Sequence, residues 1–222
     1  MAVTKSILGK MLYFGGLSQE ELAEVKQHIA FEKRIQKGET LLAEGEDSDY
    51  MYFIVSGSIK VYKRSPNKKE QILNITTTGE SLNDVSTFDG GGSAANMLAI
   101  TPVQLYAIKK QNMEDLFAKN PRIARNVARV LASRVRRDSS LVEVLSFSQV
   151  DSRLARLILK QSAATDNQIL PVFTQQDLAA MVGTSRVVVN RALRALEERG
   201  AIRLSRRRII ITDENILTDL AK

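Results

Sequence analysis

Arg186, Val187, Asn190 and Arg191 stand at i, i+1, i+4 and i+5, a spacing that gathers them on one side of a helix. Their types suit the major groove of duplex DNA. Arginine pairs bidentately with guanine O6 and N7, asparagine reads adenine, and valine packs on a thymine methyl. The other side of the same stretch carries Val189, Ala192, Leu193 and Leu196 at i, i+3, i+4 and i+7, so one face is set for burial and the other for reading. Ser185 is placed to cap this helix. Upstream, Thr174 and Asp177 have the spacing of a capping box, and Leu178, Ala179 and Val182 form a small apolar face. Gly183 supplies the turn between the two segments. Residues 173–200 thus read as a helix-turn-helix whose second helix is a major-groove reading head, with Thr174 and Ser185 at helix starts where phosphates pass.

Residues 201–204 and 208–212 read as two short strands of a wing. The hairpin tip, Ser205-Arg206-Arg207, places Arg206 and Arg207 where they suit phosphate contacts, which position a protein without reading sequence. The charge distribution agrees. Residues 1–120 hold 14 Lys+Arg against 15 Asp+Glu, residues 121–150 hold 6 against 2, and residues 151–222 hold 12 against 8. The net charge of +7 therefore belongs to the C-terminal part, as a nucleic-acid footprint would. With no cysteine, disulfides and thiolate metal sites are excluded. No signal peptide opens the chain and no apolar run approaches membrane-spanning length, so a cytoplasmic protein without a membrane partner is expected. Nothing resembles a metal-spaced cluster or an activated nucleophile, which speaks against an enzyme.

These reading residues need elements to carry and pair them. From about residue 29 to 109 the chain shows short strands, such as 40–43, 50–55, 58–62, 71–76 and 104–108, punctuated by Gly38, Gly45, Gly57 and Gly79; this predicts an α+β fold with an N-terminal sandwich, barrel or roll. A helix over 19–29, capped by Ser18, precedes the strands. The triple glycine in Asp89-Gly90-Gly91-Gly92-Ser93 lacks the lysine and strand-to-helix setting of a phosphate-binding loop and reads as a plain loop. A long helix over 121–148 begins at Asn120-Pro121. Ala124, Ala128, Leu131, Val135, Asp138, Val142 and Leu145 are spaced four and three in alternation, a heptad seam that predicts a homodimer. Ile123, Val127, Val130, Leu141 and Val144 form a second apolar face, which must be buried elsewhere. Three regions follow: a β-domain over 1–120, a dimerisation helix over 121–149 and a DNA-binding domain over 150–222. A two-fold protein of this kind suits a palindromic operator.

The motif order, with KGETLLAEGEDSDYMYFIVSGSIKVY, GESLNDVSTFDGG and FTQQDLAAMVGTSRVVVNRALRALEERGAI, resembles the cyclic-AMP receptor protein / fumarate–nitrate regulator (CRP/FNR) family of bacterial transcription factors. The resemblance implies a jelly-roll sensor domain of the cyclic-nucleotide-binding type, a long dimerisation helix and a C-terminal winged helix-turn-helix. It also implies direct contact with RNA polymerase on activation. The family's phosphate cassette, Gly-Glu-Leu followed ten residues after the Glu by Arg-Ser, falls on Asn83-Asp84 and Ala94-Ala95. Alanines cannot neutralise a phosphate, and Asp84, with no cation foreseen beside it, would repel one; cyclic AMP is therefore not the expected effector. The pair that meets the nucleotide base in relatives falls on Asp138-Ser139. Asp138 is the single charged seam residue, so two copies would face each other unless Arg134 or Arg137 compensates, and Asp138 is a candidate relay residue. Family haem sensors usually bind through histidine; the only histidine is His28, so haem has one weak anchor. Many relatives carry Arg-Glu-x-x-x-Arg in the recognition helix. Here Val187 replaces the Glu, so the operator should differ from the usual consensus at the base pair facing it. An effector-independent regulator, or a haem-based gas sensor of the same family, is the alternative expectation.

Overall fold

The computed structural model describes residues 5–165, 173–205 and 208–221. Two compact units arise, Met1–Lys63 with Leu73–Arg137, and Arg64–Ile72 with Asp138–Lys222. A short helix α1 (Lys5–Leu8) and helix α2 (Gln19–Gln27) open the chain. Ser18 caps α2 in a full capping box with Glu21. The helix is shorter than the expected 19–29 because His28 closes it and the chain turns extended at Ile29. Strands β1 (Ile29–Ile35), β2 (Thr40–Leu42), β3 (Tyr50–Ser56), β4 (Ser58–Arg64), β5 (Glu70–Thr77) and β6 (Ser81–Leu82) follow. After them come α3 (Asp84–Asp89), β7 (Asn96–Ala99), β8 (Val103–Lys109) and α4 (Lys110–Lys119).

The strands form two four-stranded sheets, ordered β1-β8-β3-β6 and β2-β7-β4-β5. Strand β3 shows why it reads as an almost unbroken apolar run. Successive side chains point to opposite faces: Tyr52 and Ile54 join the core with Ile35, Leu42, Ile59, Met97 and Leu105, whereas Met51 and Phe53 join the helices' core with Phe14, Leu22, Met113 and Leu116. Both faces are covered, so neither side of the strand can be polar. The triple-glycine loop lies against the backbone at Gly45 and Glu46. Ser93 exchanges backbone hydrogen bonds with Gly45 and Glu46 at 2.8 Å each, and a Cβ on Gly92 would stand 2.5 Å from the Gly45 carbonyl oxygen. Glycine is required there for backbone to lie against backbone.

Helix α5 (Pro121–Phe147) begins where expected, with Asn120 Oδ1 accepting from Arg122 N at 3.0 Å. Its second apolar face is buried in its first half: Ile123 and Val127 lie in the core with α2 and α4, and Val130 packs on it. Leu131 of the seam packs on that core as well. Along the rest of the seam, Ala124, Ala128 and Asp138 are exposed, Leu145 is half-buried, and Val135 and Val142 are 65% and 64% exposed.

The C-terminal unit contains α6 (Val150–Thr165), α7 (Gln175–Val182), α8 (Arg186–Glu198), the hairpin β9 (Ile202–Ser205) with β10 (Arg208–Ile211), and α9 (Glu214–Leu220). Leu154 and Ile158 of α6, Leu178 and Val182 of α7, Leu193 and Leu196 of α8, and Ile202, Ile211 and Leu217 make one core. Each such side chain contributes about 1.5–3 kcal/mol through burial. No helix among the described residues is long and apolar enough to cross a membrane.

Candidate nucleic-acid interface and sensor cassette

The start of α7 is fixed by its own sequence. Thr174 Oγ1 accepts from Asp177 N at 3.1 Å, and Asp177 Oδ2 accepts from Thr174 N at 3.1 Å and from Thr174 Oγ1 at 2.6 Å. Gly183 ends the helix at φ 74°, a left-handed conformation that favours glycine. Ser185 then caps α8 by accepting from Val188 N. The apolar side of α8 is buried as its spacing requires: Val189, Ala192, Leu193 and Leu196 are each at most 3% exposed.

The opposite side forms a concave face lined by Arg186, Val187, Asn190, Arg191, Arg194 and Glu198. Four of these are the reading residues expected from sequence. Arg194 and Glu198 extend the row by one turn each, and the i+3 and i+7 steps from Arg191 were the signal available for them. Val187 is 78% exposed, so its methyl groups are free to pack against a thymine methyl. Asn190 is half-buried and accepts at Oδ1 from Gln175 Nε2 at 2.7 Å. Gln175 was not among the expected site residues, since fifteen positions separate it from Asn190. The hairpin expected to follow is present as β9 and β10, with Ser205 paired to Arg208. Arg206 and Arg207, expected at its tip, lie outside the described residues.

In the roll, Asn83 adopts φ 65° immediately before α3, where the family cassette has glycine; asparagine is among the few residues that tolerate this region. Asn83 Nδ2 donates to the Tyr50 carbonyl at 2.8 Å. Its Oδ1 is buried and accepts no hydrogen bond among the described residues. Asp84 is 2% exposed. Contrary to the expectation of an isolated carboxylate, a cation is beside it. Arg134 Nη1 of α5 donates to Asp84 Oδ2, and Tyr13 Oη donates to Oδ1. Ser81 Oγ also donates to Oδ1, at 2.7 Å. Arg134 Nη2 further donates to the Ser81 carbonyl at 2.8 Å. Sequence separation hid this group: Arg134 is 50 positions from Asp84, and Tyr13 is 71 positions from it.

Burial and the neighbouring Asp84 carboxylate push the Tyr13 phenol well above its ordinary value, so it stays a donor. Burial opposes the charge on Arg134, but the Asp84 carboxylate outweighs it and holds the guanidinium protonated. Arg134 is thus committed to Asp84. Ala94 is exposed in the loop after α3 and Ala95 is buried; neither carries a group that could hold an anion. Asp138 and Ser139 are exposed on α5, in the second unit. His28 ends α2 half-buried. Among the described residues, no cluster of His, Cys, Asp and Glu could hold a metal ion.

The architecture is a β-roll followed by a long helix and a winged helix-turn-helix. The family model of the cyclic nucleotide-binding domain matches residues 32–120, and that of the Crp-like helix-turn-helix domain matches residues 152–220. The chain is 30% identical to a CRP-like cAMP-activated global transcriptional regulator of Mycobacterium tuberculosis, over 97% of this chain and 99% of that one. It is 28% identical to the cyclic AMP receptor protein of Thermus thermophilus, over 94% and 95%. Its fold is similar to that of a crp/fnr-family transcriptional regulator from Eubacterium rectale, with a TM-score of 0.79 at 20% identity, covering 94% and 98%. The protein belongs to the CRP/FNR family and is a transcription regulator with a helix-turn-helix DNA-binding domain.

Proposed function

We propose that the protein acts as a homodimer that reads a two-fold DNA operator through α8 of each copy, and that its roll answers to an effector other than a cyclic nucleotide. Arg186, Asn190, Arg191 and Val187 face the bases in this reading. Thr174, Ser185, Arg206 and Arg207 serve the phosphates, and activation runs through contact with RNA polymerase, as in the family. The exposed Val135 and Val142 on the seam favour a second copy as the partner of α5. The observation that carries the effector reading is the cassette. The M. tuberculosis and T. thermophilus relatives are named for cyclic AMP, yet here Ala94 and Ala95 offer a phosphate neither charge nor hydroxyl. Asp84 is already engaged by Tyr13, Ser81 and Arg134.

Calorimetry with cyclic AMP and cyclic GMP tests this. No binding at micromolar concentration, and no change in operator affinity, is expected. Micromolar binding that shifts DNA affinity would overturn it.

A second reading, regulation without any effector, is favoured by the Asp84–Arg134 group itself, since it ties α5 to the roll with no ligand. Operator affinity before and after stripping the protein of co-purified small molecules separates the two: a change supports the effector, identity supports the constitutive form. Haem would have to use His28 with no second histidine and no cysteine as the other axial ligand, and the proposed function does not include it.

A further inference from the structure

We infer that the groove between the first half of α5 and the roll binds a small amphipathic monocarboxylate, with Arg129 gripping the carboxylate and Leu12 and Val130 receiving the tail. The inference rests on the reading of the roll as a sensor for an effector other than a cyclic nucleotide, and gives that reading a site and a ligand class.

The groove has a volume of about 330 Å³, within the roughly 300–1,000 Å³ of small-molecule sites. Leu12 and Glu80 form one wall, and Arg129, Val130, Ser133 and Arg134 of α5 are in the other. Neither the cassette residues Asn83, Ala94 and Ala95 nor any seam position of α5 borders it, so pairing along the seam leaves it open. Three guanidiniums, those of Arg129, Arg134 and Arg137, meet a single carboxylate in the lining, that of Glu80. Arg134 is held by Asp84, and Glu80 Oε2 accepts from Thr77 N at 2.7 Å. Arg129 is exposed and makes no hydrogen bond or ion pair among the described residues. Its fork matches a carboxylate bidentately. Ser133 stands four residues on, on the same side of the helix, and adds a hydroxyl donor. One open guanidinium beside the Glu80 carboxylate suits a single negative charge and disfavours a dianion. Beside these polar groups Leu12 is 50% exposed and Val130 half-buried, an apolar surface that a short hydrocarbon tail would remove from water. The site also has a route to the rest of the molecule. Arg134 both lines the groove and holds Asp84 and Ser81, so an anion there acts on the contact that fixes α5 to the roll.

Calorimetry and operator titrations on the full-length protein test the inference, with octanoate and inorganic phosphate as probes. Octanoate should bind once per chain at submillimolar concentration and change operator affinity at least about fivefold, the lower end of allosteric couplings. Phosphate should do neither. Arg129→Gln should weaken octanoate at least about tenfold, the scale of one charge-assisted contact, and remove its effect on the operator. Leu12→Ser should weaken it severalfold through the lost apolar contact. Arg125→Gln alters the same helix outside the groove and should bind as the wild type does. All three residues are exposed, so the fold is kept. Failure of octanoate to bind, equal binding to wild type and Arg129→Gln, binding of phosphate in its place, or binding that leaves operator affinity unchanged would each overturn the inference. Stripping the protein of co-purified small molecules judges the effector reading separately. A change in operator affinity on stripping, with no octanoate binding, overturns the groove alone; no change on stripping and none with octanoate overturns both.

Discussion

Tyr13, Asp84 and Arg134 make one buried electrostatic unit, and its pH dependence has a definite sign. The Tyr13 phenol is held above its ordinary value of 10.0 in the folded protein. Below about pH 10 the phenol is protonated in both folded and unfolded chains, and its hydrogen bond contributes fully. Above about pH 10 the unfolded chain ionises while folded Tyr13 does not, so unfolding releases a proton and stability falls as pH rises. Tyr13→Phe keeps the ring against Phe53, at a centroid distance of 5.7 Å, and removes only the hydroxyl. At neutral pH it should cost about 1.5–3 kcal/mol, as for a hydrogen bond to a charged acceptor. Between about pH 8 and about pH 11 the difference between wild type and variant should hold steady up to about pH 10 and then shrink, by about 1.4 kcal/mol for each further pH unit. Denaturant midpoints across that range check this, and a difference that stays constant would show that the phenol is not coupled to Asp84. Single residues also mark the limit of reading a sequence. Asp84 could be placed in the cassette from the motif, but its cation is 50 residues away and no spacing rule joins them. The same holds for Gln175 and Asn190, which meet only because the turn at Gly183 folds α7 against α8.

Among the elements, those with strong local signals were legible. The capping boxes at Ser18 and Thr174, the cap at Ser185, the Asn120-Pro121 start of α5 and the buried face of α8 all follow from adjacent residues. Strands β3, β4, β5 and β8 carry enough apolar length to be seen. Elements whose stability is borrowed were not. Strand β6 is two residues long, too short for alternation, and exists because β3 pairs with it. Helix α3 is six residues long and starts from Asn83 without a side-chain cap. Helix α6 owes its form to Leu154, Ala155 and Ile158, which are buried only once α7, α8 and α9 surround them. Helix α5 carries the element-scale prediction. Its seam leaves Val135 and Val142 exposed in the single chain, so aspartate at both positions should turn a dimer into a monomer in sedimentation, without loss of helix content. Asp138→Leu should do the reverse and tighten the dimer, because it removes like charges from a paired seam. A wild-type monomer at micromolar concentration would contradict the dimer, and a double-aspartate variant that still dimerises would place the dimer contact elsewhere.

For the whole molecule, the division of labour is visible in charge and in architecture. The near-neutral N-terminal part carries the roll, and the basic excess lies in the C-terminal part with the concave face of α8. In the proposed dimer, two half-sites bound at once would gain the affinity of both. Binding stoichiometry and affinity on designed duplexes test the central claim, that a two-fold dimer reads a two-fold operator, most directly. The duplexes carry the selected sequence either as an inverted repeat, with half-site centres about one helical turn apart, or as one half-site. The account predicts two protein chains per inverted repeat and binding at least about a hundredfold weaker to the single half-site. One chain per duplex, or equal affinity for the two duplexes, would contradict it.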